Sequence, residues 1–213
     1  EMSRGLGDVY KRQYDSYVKG KGANSNNVGG LFGVLQHAGS DYKVVGTKIS
    51  TTGSNVGSIF GVTKADTDNI IAINCDVEGY TNVGGNIGKL EMGNVKRAYN
   101  NSNVVSYSNN AGGIIGYLEN GEMIANSKVS SVQESYTARG KVESKTNVGG
   151  LIGNIQKELY MPEKYFYSNY VDINLVSEEI SSISLGIGNM PNQNQYLNCL
   201  LYTSPSPRDI SGS

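Results

Sequence analysis

The chain has no tryptophan, one histidine, two cysteines and four prolines among its 213 residues. A single histidine, His37, can supply neither a histidine-assisted triad nor a multi-histidine metal site, so enzyme chemistry is disfavoured from the outset. It reads as a loop or surface side chain. No apolar run approaches the roughly 18 residues that span a bilayer. A formal net charge of −1 gives no electrostatic footprint for nucleic acid. Neither nucleic acid nor insertion of this segment into a membrane is therefore expected. With 17% charged and 38% hydrophobic residues the chain is too apolar for a disordered polyelectrolyte and can build a core. What it has in plenty is turn chemistry: 28 Gly, 24 Asn and 24 Ser.

The two ends read as foreign to the rest. SRGLGDVYKRQ at Ser3–Gln13 and CLLYTSPSPRD at Cys199–Asp209 are translations of one oligonucleotide and of its reverse complement, and that oligonucleotide resembles a transposase-type sequencing-library adapter. Residues 1–13 and 199–213 are thus expected to be adapter-derived and disordered, with a natural fragment from Tyr14 to Asn198. Cys75 is then the one natural cysteine and no intrachain disulfide is proposed.

A short pattern recurs as NVGGLFGVL from Asn27, NVGSIFGVT from Asn55, NVGGNIGKL from Asn82, NAGGIIGYL from Asn110 and NVGGLIGNI from Asn147. Val28, Val56, Val83, Ala111 and Val148 are spaced by 28, 27, 28 and 37 residues, and a degraded sixth copy lies at Ile183–Met190, 35 residues further on. A period of about 28 marks an array whose units bury their apolar faces against one another. It is too short for a four-stranded propeller blade, and the glycines and missing 3.6-residue periodicity exclude helical repeats. Between the motifs lie alternating pieces at Ile70–Gly79, Val95–Val104, Met123–Val129 and Tyr165–Val171, each running into Asn or Ser. Strand, Asn/Gly turn, strand, turn is the grammar of a β-solenoid whose coils stack at about 4.8 Å. The expected fold is all-β: a right-handed parallel β-helix or β-solenoid of about six coils over residues 14–190, with 191–198 closing the natural segment.

A VGGLxG-like run followed by IxNC or IxNS and a V-x-G element resembles the GLUG repeat of bacterial surface and secreted proteins, as in the N-terminal region of M26 immunoglobulin A1 metallopeptidases. The resemblance covers most of residues 24–190. It implies a β-helix displayed outside a bacterial cell or secreted from it, serving as stalk, adhesin or recognition module. Ser58 replaces the usual Gly and Asn86 the usual Leu or Ile, so irregular coils are expected there. The stretch 156–182, with Pro162, Glu178 and Glu179, reads as a loop or the start of a cap.

No residue is assigned as catalytic, cofactor-binding or metal-binding, and no cofactor is expected. The Gly-rich runs lack the βαβ context and the Lys-Ser/Thr of a phosphate cradle. Asp66, Asp68 and Asn69 open like a calcium loop, but no Gly stands at its sixth position and no Glu at its twelfth. Cys75 reads as a buried core thiol equivalent to Ser127 in another coil. All but Tyr10 and Tyr202 of the 15 tyrosines fall in the natural part, where they fill or rim coils or offer a platform for sugar or protein ligands.

Three functions are weighed. The leading one is a non-catalytic structural or adhesive segment whose partners are adjacent coils and a host or matrix glycoprotein or glycan. The second is a substrate-docking region of an M26-like protease, whose His-Glu-x-x-His signature is absent from this chain. The third is a β-helical polysaccharide-processing enzyme using Asp66, Asp68 or Asp76. Open terminal coils expose pairing edges, so the isolated chain is expected to associate. The adapter reading is checked in raw sequencing reads: matches to the locus should stop at Gln13 and Cys199, and reads running through either junction unchanged would refute it.

Overall fold

The computed structural model describes residues 11–22, 25–119, 130–156, 166–179, 182–190 and 201–202. Their secondary structure is almost wholly β. β1 (Lys11–Tyr14) and β2 (Tyr17–Lys19) precede a first complete coil of β3 (Val28–Gly29), β4 (Phe32–Leu35), β5 (Gly39–Val45) and β6 (Lys48–Ser50). The second is β7 (Ser54–Gly57), β8 (Phe60–Thr63), β9 (Thr67–Ile73) and β10 (Asp76–Gly79). The third is β11 (Thr81–Gly84), β12 (Ile87–Leu90), β13 (Asn94–Asn100) and β14 (Asn103–Ser106). In the fourth, β15 (Asn109–Gly112) and β16 (Ile115–Leu118) lead to β17 (Ser131–Gln133) and the long β18 (Tyr136–Ser144). β19 (Thr146–Gly149), β20 (Ile152–Ile155), β21 (Phe166–Tyr167) and β22 (Asn169–Ser177) form the fifth, and β23 (Ile183–Ser184) and β24 (Ile187–Asn189) begin the sixth. β25 (Leu201–Tyr202) adds to β22.

Every pairing is parallel, and strands join the equivalent strand one coil away. Two six-stranded sheets run β23-β19-β15-β11-β7-β3 and β24-β20-β16-β12-β8-β4, one through each half of the glycine motif. The third and largest sheet carries two ladders, β1-β5-β9-β13 and β2-β6-β10-β14, which β18 joins by pairing with both β13 and β14. The molecule is a parallel β-helix, the fold that the 28-residue period calls for. Among the described residues no helix is long and apolar enough to cross a membrane.

Where the ends were expected to be disordered the structure differs. Lys11, Arg12 and Gln13 continue β1, paired with Tyr42, Lys43 and Val44, and Leu201 and Tyr202 pair with Asn169 and Tyr170. An open parallel edge offers backbone donors and acceptors that any sequence can meet. The remaining residues assigned to the adapter, 1–10, 199–200 and 203–213, lie outside the described residues.

The core is a set of columns. Val28, Val56, Val83, Ala111, Val148 and Ile183 stack in register, and beside them run Phe32, Phe60, Ile87, Ile115, Ile152 and Ile187. From the large sheet Ile49, Val77, Val104 and Val142 face them, all with no exposed surface. The degraded sixth copy thus keeps the register of the other five. The extra residues of the 37- and 35-residue spacings fall between β16 and β17 and between β20 and β21, the same corner of two successive coils.

Why Asn begins each motif is plain from the backbone. Asn27, Asn55, Asn82, Asn110 and Asn147 all have positive φ, between 56° and 64°. Asn tolerates this left-handed conformation better than other residues with a Cβ. Its amide also carries both a donor and an acceptor. Each Nδ2 donates to the Oδ1 one coil before: Asn55 to Asn27 at 2.8 Å, Asn82 to Asn55 at 2.8 Å, Asn110 to Asn82 at 2.7 Å and Asn147 to Asn110 at 2.7 Å. The two motif sheets then pack so closely that a Cβ on Gly116, within β16, would lie 2.5 Å from backbone atoms of Asn82 and Val83 in the preceding coil.

The irregularities expected at Ser58 and Asn86 do not occur. Ser58 is fully buried and its hydroxyl donates to the Gly85 carbonyl, joining its coil to the next. Asn86, also fully buried, donates from Nδ2 to the Tyr99 carbonyl at 3.0 Å, within its own coil. The Ser58 hydroxyl and the Asn86 amide nitrogen each meet a carbonyl, while Asn86 Oδ1 is buried without a partner, and the registers Val56↔Val83 and Phe60↔Ile87 are kept.

Replacing Asn82 probes the ladder at its centre. Asn82→Ala removes two hydrogen bonds and puts a less tolerant residue at positive φ, for an expected loss of about 2–3 kcal/mol in urea unfolding. Asn82→Asp keeps the acceptor for Asn110 but sets a carboxylate against the Asn55 oxygen. Its folded pKa should therefore rise, with the neutral acid favoured. The deficit relative to the parent chain is then smallest below about pH 4 and grows as pH rises. A deficit independent of pH would refute the donor role.

Candidate functional surface

His37 lies exposed in the turn between β4 and β5, as its isolation in sequence suggested. Cys75 is 1% exposed. Its N–H donates to Ser102 Oγ at 3.1 Å and its thiol approaches the Ile73 carbonyl at 3.4 Å. The register Asp76↔Asn103 makes Ser102 its counterpart in the next coil, whereas Ser127, the expected counterpart, lies outside the described residues. Burial raises the thiol pKa, opposed in part by hydrogen bonds at Thr47, Ser102 and Ile73.

The three residues that open like a calcium loop serve neighbouring coils instead. Asp66 Oδ1 accepts the Asn94 N–H at 2.8 Å, Asp68 pairs with Arg97, and Asn69 Nδ2 donates to Asp41 Oδ1 at 2.6 Å. Hydrogen bonds from Ser40 and Asn69 hold the Asp41 carboxyl below the usual carboxylate range. Among the described residues no group of three or more His, Cys, Asp or Glu could hold a metal ion. Asp66 and Asp68 line one shallow depression of about 270 Å³, and Asp76 lines another of about 390 Å³. The candidate acids are thus divided between two places.

Two further left-handed corners escaped the sequence because their residue types vary. Asp41, Asn69, Arg97, Glu134 and Ser168 form one column with φ between 49° and 63°. Asp15, Gly46, Asn74 and Arg139 mark the break between the two ladders of the large sheet. Among these residues a search at spacings of 27 or 28 for Asp or Asn would have linked only Asp41 with Asn69.

The tyrosines divide into two kinds. Tyr99, Tyr136 and Tyr170 are stacked in register on the large sheet, with ring centroids 5.3 Å and 4.9 Å apart. Their ring faces are covered by one another, so as a sugar platform they present chiefly edges. Tyr80 and Tyr107 occupy equivalent places after β10 and β14, are 54% and 51% exposed, and stack on no aromatic ring among the described residues. Beside them Tyr107 Oη donates to Glu78 Oε2 at 3.0 Å, Lys48 Nζ lies 3.6 Å from Glu78 Oε1, and Asn103 Nδ2 donates to Asp76 Oδ1 at 3.0 Å. Asp76, Glu78, Asn103, Val105 and Lys141 line the 390 Å³ depression.

On the third sheet Lys89 sits between Glu91 and Glu119, and Glu91 also meets Lys64 at 2.9 Å. Burial disfavours the Lys89 charge, but its hydrogen bonds to Glu119 and Glu91 outweigh this and raise its pKa. Burial likewise works against the Glu91 charge, and its two lysines outweigh it to lower that pKa. These contacts make an ion-pair network along the coil axis.

No protein-family model matches the chain, and neither a curated protein nor a solved structure does.

The buried thiol gives a direct check. In a Cys199→Ser background, Cys75 should resist an aromatic disulfide reagent at pH 8 in the folded chain and react promptly in urea. The unfolded thiol loses its proton first, so stability should fall as pH rises above about 8.5. Fast labelling of the native chain would refute the buried placement.

Proposed function

We propose that the chain is a non-catalytic structural and adhesive repeat segment of a bacterial cell-surface or secreted protein of the GLUG-repeat kind, its partners being neighbouring coils and an extracellular glycoprotein or glycan. The observation that carries this reading is the in-register stacking of whole coils, fixed by the asparagine ladder from Asn27 to Asn147. A parallel β-helix of this kind grows by one strand spacing, about 4.8 Å, per coil. It therefore sets distance rigidly and repeats the same outward positions along its length. Repeated positions favour many weak contacts over one deep site. The five motif copies support the resemblance to GLUG proteins, and the glycine-built corners give those copies a physical purpose.

Beads coated with the chain should be retained on mucin- or fibronectin-coated surfaces well above albumin-coated beads, and more strongly as coating density rises. Retention no better than albumin would refute the adhesive part. Turnover of a neutral or acidic polysaccharide, abolished in Asp76→Asn, would move the chain to the enzyme class.

A further inference from the structure

The outer face formed by β6, β10, β14 and β18 differs from the rest of the large sheet. Its residues fall into columns along the coil axis: Lys48, Asp76, Asn103 and Lys141 in one, and Ser50, Glu78, Val105 and Glu143 in the next. Tyr80 and Tyr107 stand at the ends of their strands, one coil apart. The depression between these columns is shallow, polar at its edges and floored in part by Val105.

We propose that this face binds an uncharged, extended oligosaccharide lying along the coil axis, a proposal that rests on the adhesive reading and names its ligand class. The depression and the tyrosines beside it suit that chemistry on three counts. Asp76 with Asn103 and Glu78 with Tyr107 place carboxylate acceptors beside an amide and a hydroxyl, a combination able to accept from and donate to neighbouring sugar hydroxyls. The Tyr80 and Tyr107 rings are exposed and unstacked, so their faces are open to the C–H face of a sugar ring, unlike those of Tyr99 and Tyr136. The two cations of these columns are already engaged: Lys48 pairs with Glu78, and Lys141 with Glu143. In these two columns three carboxylates, Asp76, Glu78 and Glu143, stand against two lysines, and the next cation along them, Lys19, lies one strand further out in register with Ser50, so an acidic polysaccharide would meet net negative charge here and a neutral chain is favoured. The axial direction follows from the columns, because the outward positions of successive coils line up along the axis one strand spacing apart, and the depression runs between two such columns.

Saturation-transfer NMR and calorimetry on the full chain would test this, using hexasaccharides of β-1,4-glucose, β-1,3-glucose, α-1,4-glucose and β-1,4-N-acetylglucosamine, with a hyaluronan hexasaccharide as the charged comparison. At least one neutral hexasaccharide should bind in the millimolar range or tighter, and hyaluronan at least about tenfold more weakly. Tyr107→Ala and Asp76→Ala should each weaken binding about tenfold, Tyr107→Phe, which keeps the ring but loses the hydroxyl, should weaken it less than Tyr107→Ala, and Tyr167→Ala, on another part of the sheet, should bind like the parent. Unchanged thermal unfolding in each variant separates lost contacts from lost fold. No binding of any neutral hexasaccharide, or equal binding by Tyr107→Ala and Asp76→Ala, would overturn the proposal. If beads bearing those two variants still adhere as the parent does, only this ligand assignment fails and the adhesive reading stands; if parent beads also fail to adhere, both fall.

Discussion

A flat strand cannot become a coil without abrupt changes of direction, and this chain makes them by placing residues in the left-handed region at fixed places. Asn27 and its four successors stand at one such place, with φ near 60° in five successive coils. Conformation and hydrogen bonding reinforce each other there. The backbone needs a residue that tolerates positive φ, and the ladder needs a side chain that donates and accepts at once. Among the common residues that tolerate positive φ, Gly has no side chain and ionised Asp cannot donate. Once the ladder sets the register, valines, isoleucines and phenylalanines of successive coils meet as columns without further specification.

Close approach between the two motif sheets accounts for Gly116, which lies within β16. It packs against backbone of the preceding coil, and a Cβ there would meet Asn82 and Val83. Departures from the motif are held by hydrogen bonds to backbone carbonyls. Ser58 succeeds because its hydroxyl reaches the Gly85 carbonyl, and Asn86 because its amide reaches Tyr99. Both side chains donate inside the stack, where an unmet polar group is costly; the Ser58 hydroxyl is satisfied, whereas Asn86 leaves its Oδ1 without a partner.

The outer surface follows a different logic. Outward residues are free of the core and vary from coil to coil, but they are still held one strand spacing apart, so charges and rings meet as neighbours. Lys89 between Glu91 and Glu119, and the stacked Tyr99, Tyr136 and Tyr170, both arise this way. The open tyrosines beside Glu78 and Asp76 are the exception within this pattern, and they give the face its distinct chemistry.

Read alone, the sequence determined the class of fold, the period and the inward columns of the glycine motif, because those features repeat and a repeated residue type at a fixed interval has few physical explanations. It also placed His37 in an exposed turn and Cys75 in the core. The left-handed columns at Asp41 and Asp15, the pairing of Cys75 with Ser102, and the joining of two ladders through β18 were decided by tertiary structure. So was the meeting of Asp76 with Asn103 and of Glu78 with Tyr107. Such neighbours lie 27 or 29 residues apart in the chain and share no residue type, so only the stacking of one coil on the next brings them into contact.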